Sequence, residues 1–331
     1  MIVTKNVGTF LISLDFELLW GIRDFADQEK ANGLLPTRQV VPRLLDLFQK
    51  YDIHATWATV GFLFFSSQLE LLSALPEQKP QYLNKSLSPY ESLIGELGEG
   101  EDDDPLHFAP SLIQQIVQTP HQELGTHTFS HYYCLEDGQT PKDFEDDLRA
   151  VKGAFKNFNC ELKSIVFPRN QYSDPYLAVC TQSGVRAYRG TENLWFRQSS
   201  KRVEHRRWTR RILRIMDAYF NISGSNAYSL PDKGVLPINL PASRYLRPCS
   251  KKMSIFEPLR LRRIISSMTE AAQSKQVFHL WWHPEDFSKN TDANLEFAEK
   301  IFIRYRQLHD QYGMQSRSMG EIAEIVLSNG L

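Results

Sequence analysis

Hydrophobic and polar positions along the chain alternate between short apolar runs and longer stretches in which apolar side chains recur every three or four residues. The short runs predict β-strands and the longer stretches predict amphipathic helices. Strands are predicted at residues 8–16, 53–60, 123–126, 164–167, 185–189, 234–241 and 277–283. Helices are predicted at residues 40–50, 63–75, 111–117, 142–157, 175–183, 254–272, 294–312 and 319–327. Because strands and helices alternate, the pattern predicts an α/β fold with a parallel sheet.

Two segments interrupt this alternation and are predicted to be insertions, near residues 76–110 and 191–230. The acid-rich part of the first, residues 96–104, indicates a solvated face rather than a metal site. The second includes a strongly basic stretch at residues 195–218, for which a solvated helix and a contact to a phosphate-bearing or acidic substrate are both open. No repeat or clear linker divides the chain, so residues 1–331 are predicted to form a single domain.

Polar side chains gather where several predicted strands end. Asp15 and Glu17 follow the first strand, Arg169 follows the fourth, and His283 ends the last. In parallel α/β folds the carboxyl ends of the strands carry the active site, and in a barrel they converge on one mouth. The i, i+2 spacing of the two acids directs both to one side if the strand continues. Solvated strand ends, and a structural role for His283, are the alternatives.

The segment at residues 123–131, Glu-Leu-Gly-Thr-His-Thr-Phe-Ser-His, places His127 and His131 four positions apart after a short apolar run. If the chain turns helical near Thr128, both imidazoles lie on one face and can give a divalent metal two nitrogen ligands. A helix start in which both histidines only form hydrogen bonds is the alternative.

Together these side chains could carry out a hydrolysis. Two histidines and one carboxylate are a hydrolytic metal set that leaves positions for water. A second carboxylate could take a proton from that water, and a separate histidine could protonate a leaving amine. An arginine beside the basic carboxylate would orient it and hold its pKa down.

Composition narrows the classes of partner. The chain has 331 residues, of which 42% are hydrophobic. Its formal net charge is −1, so the charge does not indicate nucleic acid or an anionic membrane as a binding partner. The N-terminal apolar run is broken by acids and predicts neither a signal peptide nor a membrane span. The four cysteines form no C-x-x-C pair and indicate a reduced, cytoplasmic protein.

Several of these segments resemble the motifs of the polysaccharide deacetylases of the NodB-homology type. Residues 13–17 (Ser-Leu-Asp-Phe-Glu) resemble the family's first motif, and residues 127–131 resemble its H-[ST]-x-x-H metal motif. Residues 167–172 (Phe-Pro-Arg-Asn-Gln-Tyr) resemble the third motif, and residues 280–283 (Leu-Trp-Trp-His) the last. Residues 104–110, with the histidine motif, are similar to cytoplasmic variants from bacterial O-antigen and surface-polysaccharide clusters.

The resemblance implies a distorted (β/α)7 barrel and a Zn²⁺-type hydrolase. Such an enzyme removes an acyl group, in the first place acetyl, from an amino sugar on a nucleotide- or lipid-linked precursor. It implies Asp15 as the base, Glu17, His127 and His131 as metal ligands, and His283 as the acid. Arg169 would orient the base. Most members have adjacent aspartates in the first motif, whereas Phe16 separates the acids here. Which acid is the base and which is the ligand therefore stays open.

Two other functions remain open from the sequence. A related branch of the family also spaces its acids i, i+2 and includes members that open cyclic ureides, so the same site could hydrolyse a non-sugar or cyclic amide. A non-catalytic glycan-binding protein with a degenerate site is the other possibility. Retention of a full acid, base and metal set argues against it.

Overall fold

The structure, a computed structural model, describes residues 7–92, 94–192, 216–231 and 235–328. Within these ranges nine strands form one sheet in which every strand pairing is parallel. The strands are β1 Thr9–Phe16, β2 Ala55–Thr59, β3 Gln122–Thr126, β4 Ser164–Ile165, β5 Ala187–Tyr188, β6 Ile238–Asn239, β7 Arg244–Tyr245, β8 Val277–Trp282 and β9 Gln315–Ser316. Their order across the sheet is β6-β5-β4-β3-β2-β1-β8-β7, and β9 pairs with β1.

Helices surround the sheet and alternate with its strands. The α-helices are α1 Gln28–Asn32, α2 Thr37–Tyr51, α3 Gln68–Ala74, α4 Pro89–Ser92, α5 Pro110–Gln118, α6 Pro141–Lys156, α7 Asp174–Gln182, α8 Glu257–Gln273, α9 Thr291–Tyr312 and α10 Met319–Ser328. Four strands run directly into short 3-10 turns at their carboxyl ends, namely Leu18–Gly21, Gly61–Phe64, Pro168–Asn170 and Pro284–Ser288. Those turns lie at the rim on which the predicted site residues converge.

The chain itself joins the two edges of the sheet. Edge strands β6 and β7 are consecutive in sequence, and only residues 240–243 separate them. In that connection the backbone N–H of Ala242 donates to Gly190, just after β5, and the N–H of Ser243 donates to His279 on β8. The sheet therefore curls around a closed interior, which confirms the predicted α/β class and the distorted (β/α)7-type barrel.

All eight residues of strand β1 are buried. Helix α2 packs over the strands beside it: Val41, Leu44 and Phe48 are buried, and the Phe48 ring contacts Trp57 on β2 and Trp282 on β8. On the inner side, the alternate residues Ser13 and Asp15 both bond Arg189, which follows β5 across the barrel. The buried position of β1 is what fixes the two acids at its end.

The predicted alternation of strands and helices is confirmed, and the elements that the sequence pattern did not predict are short. Strands β7 and β9 contain two residues each, too few for any periodicity to be recognised. Residues 193–215, which include most of the basic stretch, lie outside the described residues. In the acid-rich loop, Glu101 pairs with Arg38 on α2 and Asp104 pairs with His107, so these two acids help to fix the loop. Among the described helices, none has both the length and the apolar character to cross a bilayer.

Candidate active site

The two histidines of the 123–131 segment converge through a strained loop rather than along a helix. After β3 the chain is irregular, and Thr128 (φ 65°) and His131 (φ 54°) adopt the left-handed region. The rings of His127 and His131 lie 4.9 Å apart. The helical turn considered in the sequence analysis does not form. Two residues in the left-handed region bring the two rings together instead.

A buried carboxylate on α6 holds this loop. Asp147 accepts hydrogen bonds from the backbone N–H groups of Phe129 (2.7 Å) and Ser130 (3.1 Å) and from the Ser130 hydroxyl (2.6 Å). Burial raises the pKa of Asp147 to about 6, against the opposing effect of these hydrogen bonds. From the sequence, Asp147 was placed in an amphipathic helix and no role was assigned to it. Its position on the apolar face of that helix was the signal that could have indicated a buried functional carboxylate.

Glu17 lies between the two imidazoles. Its Oε2 is 3.2 Å from Nε2 of His127 and 3.0 Å from Nε2 of His131. Burial alone would raise the pKa of Glu17, but His283 and the two nearby histidines hold it well below its usual value. Gly21 makes room for the carboxylate, because a Cβ there would lie 1.9 Å from Glu17 Oε1. The residue after β1 is thus placed as an ionised group facing one nitrogen of each ring.

The backbone around Glu17 is fixed by a second acid that the sequence did not single out. Glu285 Oε1 accepts from the backbone N–H groups of Glu17 (3.0 Å) and Leu18 (2.6 Å). Leu18 has φ 45°, so the chain bends sharply immediately after Glu17. Burial, and then the charge of Glu17, raise the pKa of Glu285 to about 8. Glu285 therefore anchors the bend from the turn that follows β8.

Asp15, two residues before Glu17, is held by an arginine in a bidentate pair. Arg189 Nη1 and Nη2 each donate to one Asp15 carboxylate oxygen at 2.7 Å, and both side chains are buried. Arg189 also donates to Ser13 Oγ and lies over the Trp281 ring at 4.1 Å. Burial alone would raise the pKa of Asp15, but Arg189 and then His127 lower it below its ordinary value. The carboxylate is therefore oriented and ionised.

His283 completes the cluster from the end of β8. Its Nε2 is 3.8 Å from Asp15 Oδ2 and 3.7 Å from Glu17 Oε1, while its Nδ1 lies 3.1 Å from Asp286 Oδ2. Burial lowers its pKa, but Glu17, Asp286 and Asp15 more than offset this and raise it to about 10. The side chain is 28% exposed. A protonated imidazole thus faces the two carboxylates and remains accessible.

His279 lies on β8, four residues before His283, and its side chain is beneath the cluster in the barrel interior. It is fully buried, its Nε2 is 2.8 Å from Ser13 Oγ, and its Nδ1 lies 3.2 Å from the carbonyls of Leu240 and Pro241. Burial, with the charge of Arg189, lowers its pKa to about 3. His279 therefore supports the floor beneath Asp15 and Arg189 as a neutral residue.

Comparison with family models matches one segment of the chain. The polysaccharide deacetylase family model matches residues 27–188. That segment is a polysaccharide deacetylase domain. The family's members hydrolyse carbon–nitrogen bonds of amides, and this chain is a hydrolase of that class. The match includes His127 and His131, whereas the two acids and His283 come from strands on either side of it.

Solved structures similar to the chain include two deacetylases. A Mycobacterium smegmatis protein classed as a polysaccharide deacetylase is 12% identical, with a TM-score of 0.56 over 97% of this chain and 91% of that one. The chitin deacetylase of the fungus Colletotrichum lindemuthianum is 10% identical, with a TM-score of 0.46 over 97% of this chain and 90% of that one. No curated protein matches the sequence.

Polysaccharide deacetylases generally depend on a divalent metal, and the donor atoms of Glu17, His127 and His131 fit one. All three lie within 4.8 Å of one another. The carboxylate-to-imidazole distances of 3.0 and 3.2 Å are close to the ~3.3 Å edge of a tetrahedron with Zn-like bonds. His127 Nδ1 lies 2.8 Å from the Val166 carbonyl, which leaves Nε2 free as a ligand atom. Burial lowers the pKa of His131 to about 3, so it is neutral, as a ligand must be.

The two histidines of this donor set differ in their outer partners. Arg23 Nη1 donates to His131 Nδ1 at 2.8 Å and Nη2 donates to the His131 carbonyl at 3.2 Å. Because arginine only donates, Nδ1 is the acceptor here and Nε2 carries the proton in this arrangement. Metal uptake through Nε2 of His131 would displace that proton.

The arginine prediction requires a correction. Arg169 was expected beside the base, but the structure places Arg189 on Asp15, while Arg169 donates to Asp24 and lies 3.8 Å from Glu136. Arg169 has φ 55° in the turn after β4, which directs it to the rim over the Tyr133 ring. Arg189 follows β5 directly. Like the predicted site residues, Arg189 is a polar side chain at the carboxyl end of a strand, but it was not singled out from the sequence.

Replacing Arg189 with Lys tests this correction. We expect Arg189→Lys to lose roughly 10- to 100-fold in kcat/KM, the scale for removing an outer partner of a site residue, since lysine cannot reproduce the bidentate fork. Loss of the fork should also raise the pKa of Asp15 and move the acid limb of the pH–rate profile to higher pH. The matched control is Arg169→Lys. An equal loss in that control, with an unchanged limb in Arg189→Lys, would restore the original assignment.

Proposed function

We propose that the chain is a divalent-metal-dependent deacetylase that removes an N-acyl group, in the first place N-acetyl, from an amino sugar. The observation that carries the proposal is the convergence of the carboxyl ends of β1, β3 and β8 on one cluster. There an ionised Asp15, a Glu17–His127–His131 donor set and a protonated His283 lie within 4 Å of their neighbours. Each group needed to hydrolyse an amide is present in that cluster.

The two acids receive different roles in this proposal. Glu17 is assigned as the metal ligand because its Oε2 faces both ring nitrogens. Asp15 is assigned as the general base because Arg189 holds both of its oxygens in plane and lowers its pKa. A bound Zn²⁺-type ion would supply Lewis acidity and an acidified water at this site.

The chain's own residues handle the protons. Asp15 accepts the proton of the water that attacks the acyl carbon, and Arg189 keeps the carboxylate aimed while it does so. His283 donates a proton from Nε2 to the amine nitrogen as the carbon–nitrogen bond breaks. Asp286 fixes the imidazole through Nδ1, and the Tyr245 hydroxyl donates to Asp286 at 2.6 Å. This chain of contacts orients the acid toward the substrate position.

The proposed substrate is an acetylated amino sugar carried on a nucleotide or lipid precursor of a surface polysaccharide, of the O-antigen kind, inside the cell. The match to the polysaccharide deacetylase family supports a glycan substrate. Four free cysteines support a reducing compartment. Trp281 and Tyr245, whose rings lie 5.8 and 6.2 Å from His283, supply aromatic faces beside the site. Such faces suit the apolar side of a sugar ring.

A release assay tests the activity. Metal-stripped protein, reloaded with Zn²⁺ or Co²⁺, is incubated with a panel of N-acetylated amino sugars, free and nucleotide-linked, and acetate is measured. We expect release from at least one sugar, dependent on metal. The matched arm is a panel of non-sugar amides and cyclic ureides. Turnover confined to that arm would favour the second candidate, an amidohydrolase with the same site, whose basis is the i, i+2 spacing of the two acids.

A further inference from the structure

A second group of side chains that could hold a metal ion lies at the amino ends of β2 and β3, at the end of the strands opposite the active-site rim. His54 immediately precedes β2 and His121 immediately precedes β3. The two strands pair in parallel with Ala55 opposite Gln122, so the histidines are the next pair in register. Their rings stack at 4.1 Å with 3° between planes. The five residues of β2, about 16 Å of strand, separate this pair from the active-site rim.

An aspartate faces both rings. Asp52 Oδ1 lies 3.9 Å from Nε2 of His54 and 3.9 Å from Nε2 of His121. That separation is too long for hydrogen bonds, yet the three donor atoms lie within 4.8 Å of one another. Asp52 and His121 are 57% and 52% exposed, so solvent reaches the space between them. Arg306 approaches the other Asp52 oxygen, Oδ2, at 3.6 Å, and leaves Oδ1 to the histidines.

His54 is prepared as a ligand by a partly buried contact behind it. Its Nδ1 lies 2.9 and 2.8 Å from the two carboxylate oxygens of Glu321, which in turn accepts from the Ser318 backbone N–H at 2.8 Å. A carboxylate behind an imidazole keeps the proton on Nδ1, leaves the Nε2 lone pair outward and makes it a stronger ligand. The His54 backbone is also fixed, because its N–H donates to Ser316 Oγ at 2.9 Å.

The backbone places the other two donors with unusual conformations. Asp52 has φ 53° and His121 has φ 65°, both in the left-handed region that side-chain-bearing residues seldom adopt. The turn at Asp52 ends α2, and the turn at His121 leads into β3. The turn at His121 stacks its ring on His54, and the turn at Asp52 brings Oδ1 to 3.9 Å from Nε2 of both rings.

We propose that Asp52, His54 and His121 form a second metal site that binds one divalent transition-metal ion of the Zn²⁺, Co²⁺ or Ni²⁺ class. Two imidazoles and one carboxylate favour such ions over Mg²⁺ or Ca²⁺, which take oxygen ligands. The ion ties the end of α2 to the starts of β2 and β3, with water in the remaining positions. Its role is to stabilise this edge of the barrel, independently of the hydrolytic site.

Calorimetric titration tests the site with the first one removed. Zn²⁺ is titrated into metal-stripped His127→Ala/His131→Ala protein, which should bind one ion per chain and gain thermal stability. Adding His121→Asn or Asp52→Asn should weaken that binding at least tenfold and abolish the gain in Tm. Asparagine tolerates the left-handed backbone at both positions, so the fold is preserved. The control is His309→Asn, a histidine on α9 that bonds the Met314 carbonyl and should leave binding unchanged.

The wild-type chain gives a second measurement if the double variant does not fold. Wild type should bind two Zn²⁺ ions and His121→Asn one, and Co²⁺ loading should show two sets of d–d absorption bands of which His121→Asn loses one. Absence of binding in the double variant, or an unchanged affinity after His121→Asn, would overturn the proposal. Neither outcome bears on acetate release, so the proposed function is tested separately.

Discussion

Asp15→Asn is expected to keep the Glu17–His127–His131 site and to lose deacetylation by roughly two to four powers of ten, the scale of general-base catalysis. Asparagine matches the shape of aspartate but cannot accept the proton of the attacking water. The side chain faces Arg189 rather than the ligand nitrogens, so metal affinity should change little. Metal content and kcat for acetate release, measured on the same preparation, give the result.

Two variants serve as comparisons for Asp15→Asn. Asp24→Asn also removes a carboxylate paired with an arginine, Arg169, but at the rim, and should retain activity. Glu17→Gln should lose both metal and activity, because Glu17 faces both ring nitrogens. Metal loss in Asp15→Asn together with retention in Glu17→Gln would reverse the roles of the two acids.

His283→Ala is expected to bind metal and fold normally, to lose roughly two to four powers of ten on an N-acetyl amide, and to be much less impaired on an activated aryl ester. An amine is a very poor leaving group until it is protonated, whereas an aryloxide departs without a proton. In the structure the Nε2 of His283 faces the cluster and Asp286 holds Nδ1. The ester assay in the same variant is an internal control for damage to the site.

The role of His283 is decided by comparing the rate that His283→Ala loses on the amide with the rate that it loses on the activated ester. A selective loss on the amide identifies it as the proton donor. Equal losses on amide and ester, with metal intact, would indicate that His283 positions Asp15 and Glu17 instead. Its Nε2 lies 3.7–3.8 Å from both carboxylates, so such a positioning role has a structural basis to be tested.

The sequence predicted the fold and most of the cluster because both follow from strand ends. A buried apolar run that stops at Asp15 marks where β1 reaches the rim, and the same argument located His127 and His283. That inference depends only on the local pattern of apolar and polar residues and on the convergence of parallel strands. The residues that support them, Asp147 and Glu285, reach their partners only after folding. The helical pattern could mark Asp147 as a buried carboxylate, but no local pattern shows which backbone groups it holds.

Arg189 and Arg169 show why a motif is weaker than geometry. Both follow parallel strands, and a motif resemblance favoured Arg169 although a left-handed backbone turns it toward Asp24. The backbone conformation that decides between them is invisible in the residue types alone. His54 and His121 are a similar case, because 67 positions separate them and only the register of β2 and β3 brings the rings together.

The central claim, that one ion held by Glu17, His127 and His131 supports hydrolysis, is tested most directly by titrating activity against metal in the His121→Asn protein. That background removes the second site, so each ion added is assigned to the first. Acetate release should rise in proportion to occupancy and saturate at one ion per chain. The His127→Ala/His131→Ala change in the same background should abolish both binding and release. Full activity in metal-free protein, or full occupancy after the two histidines are removed, would contradict the account.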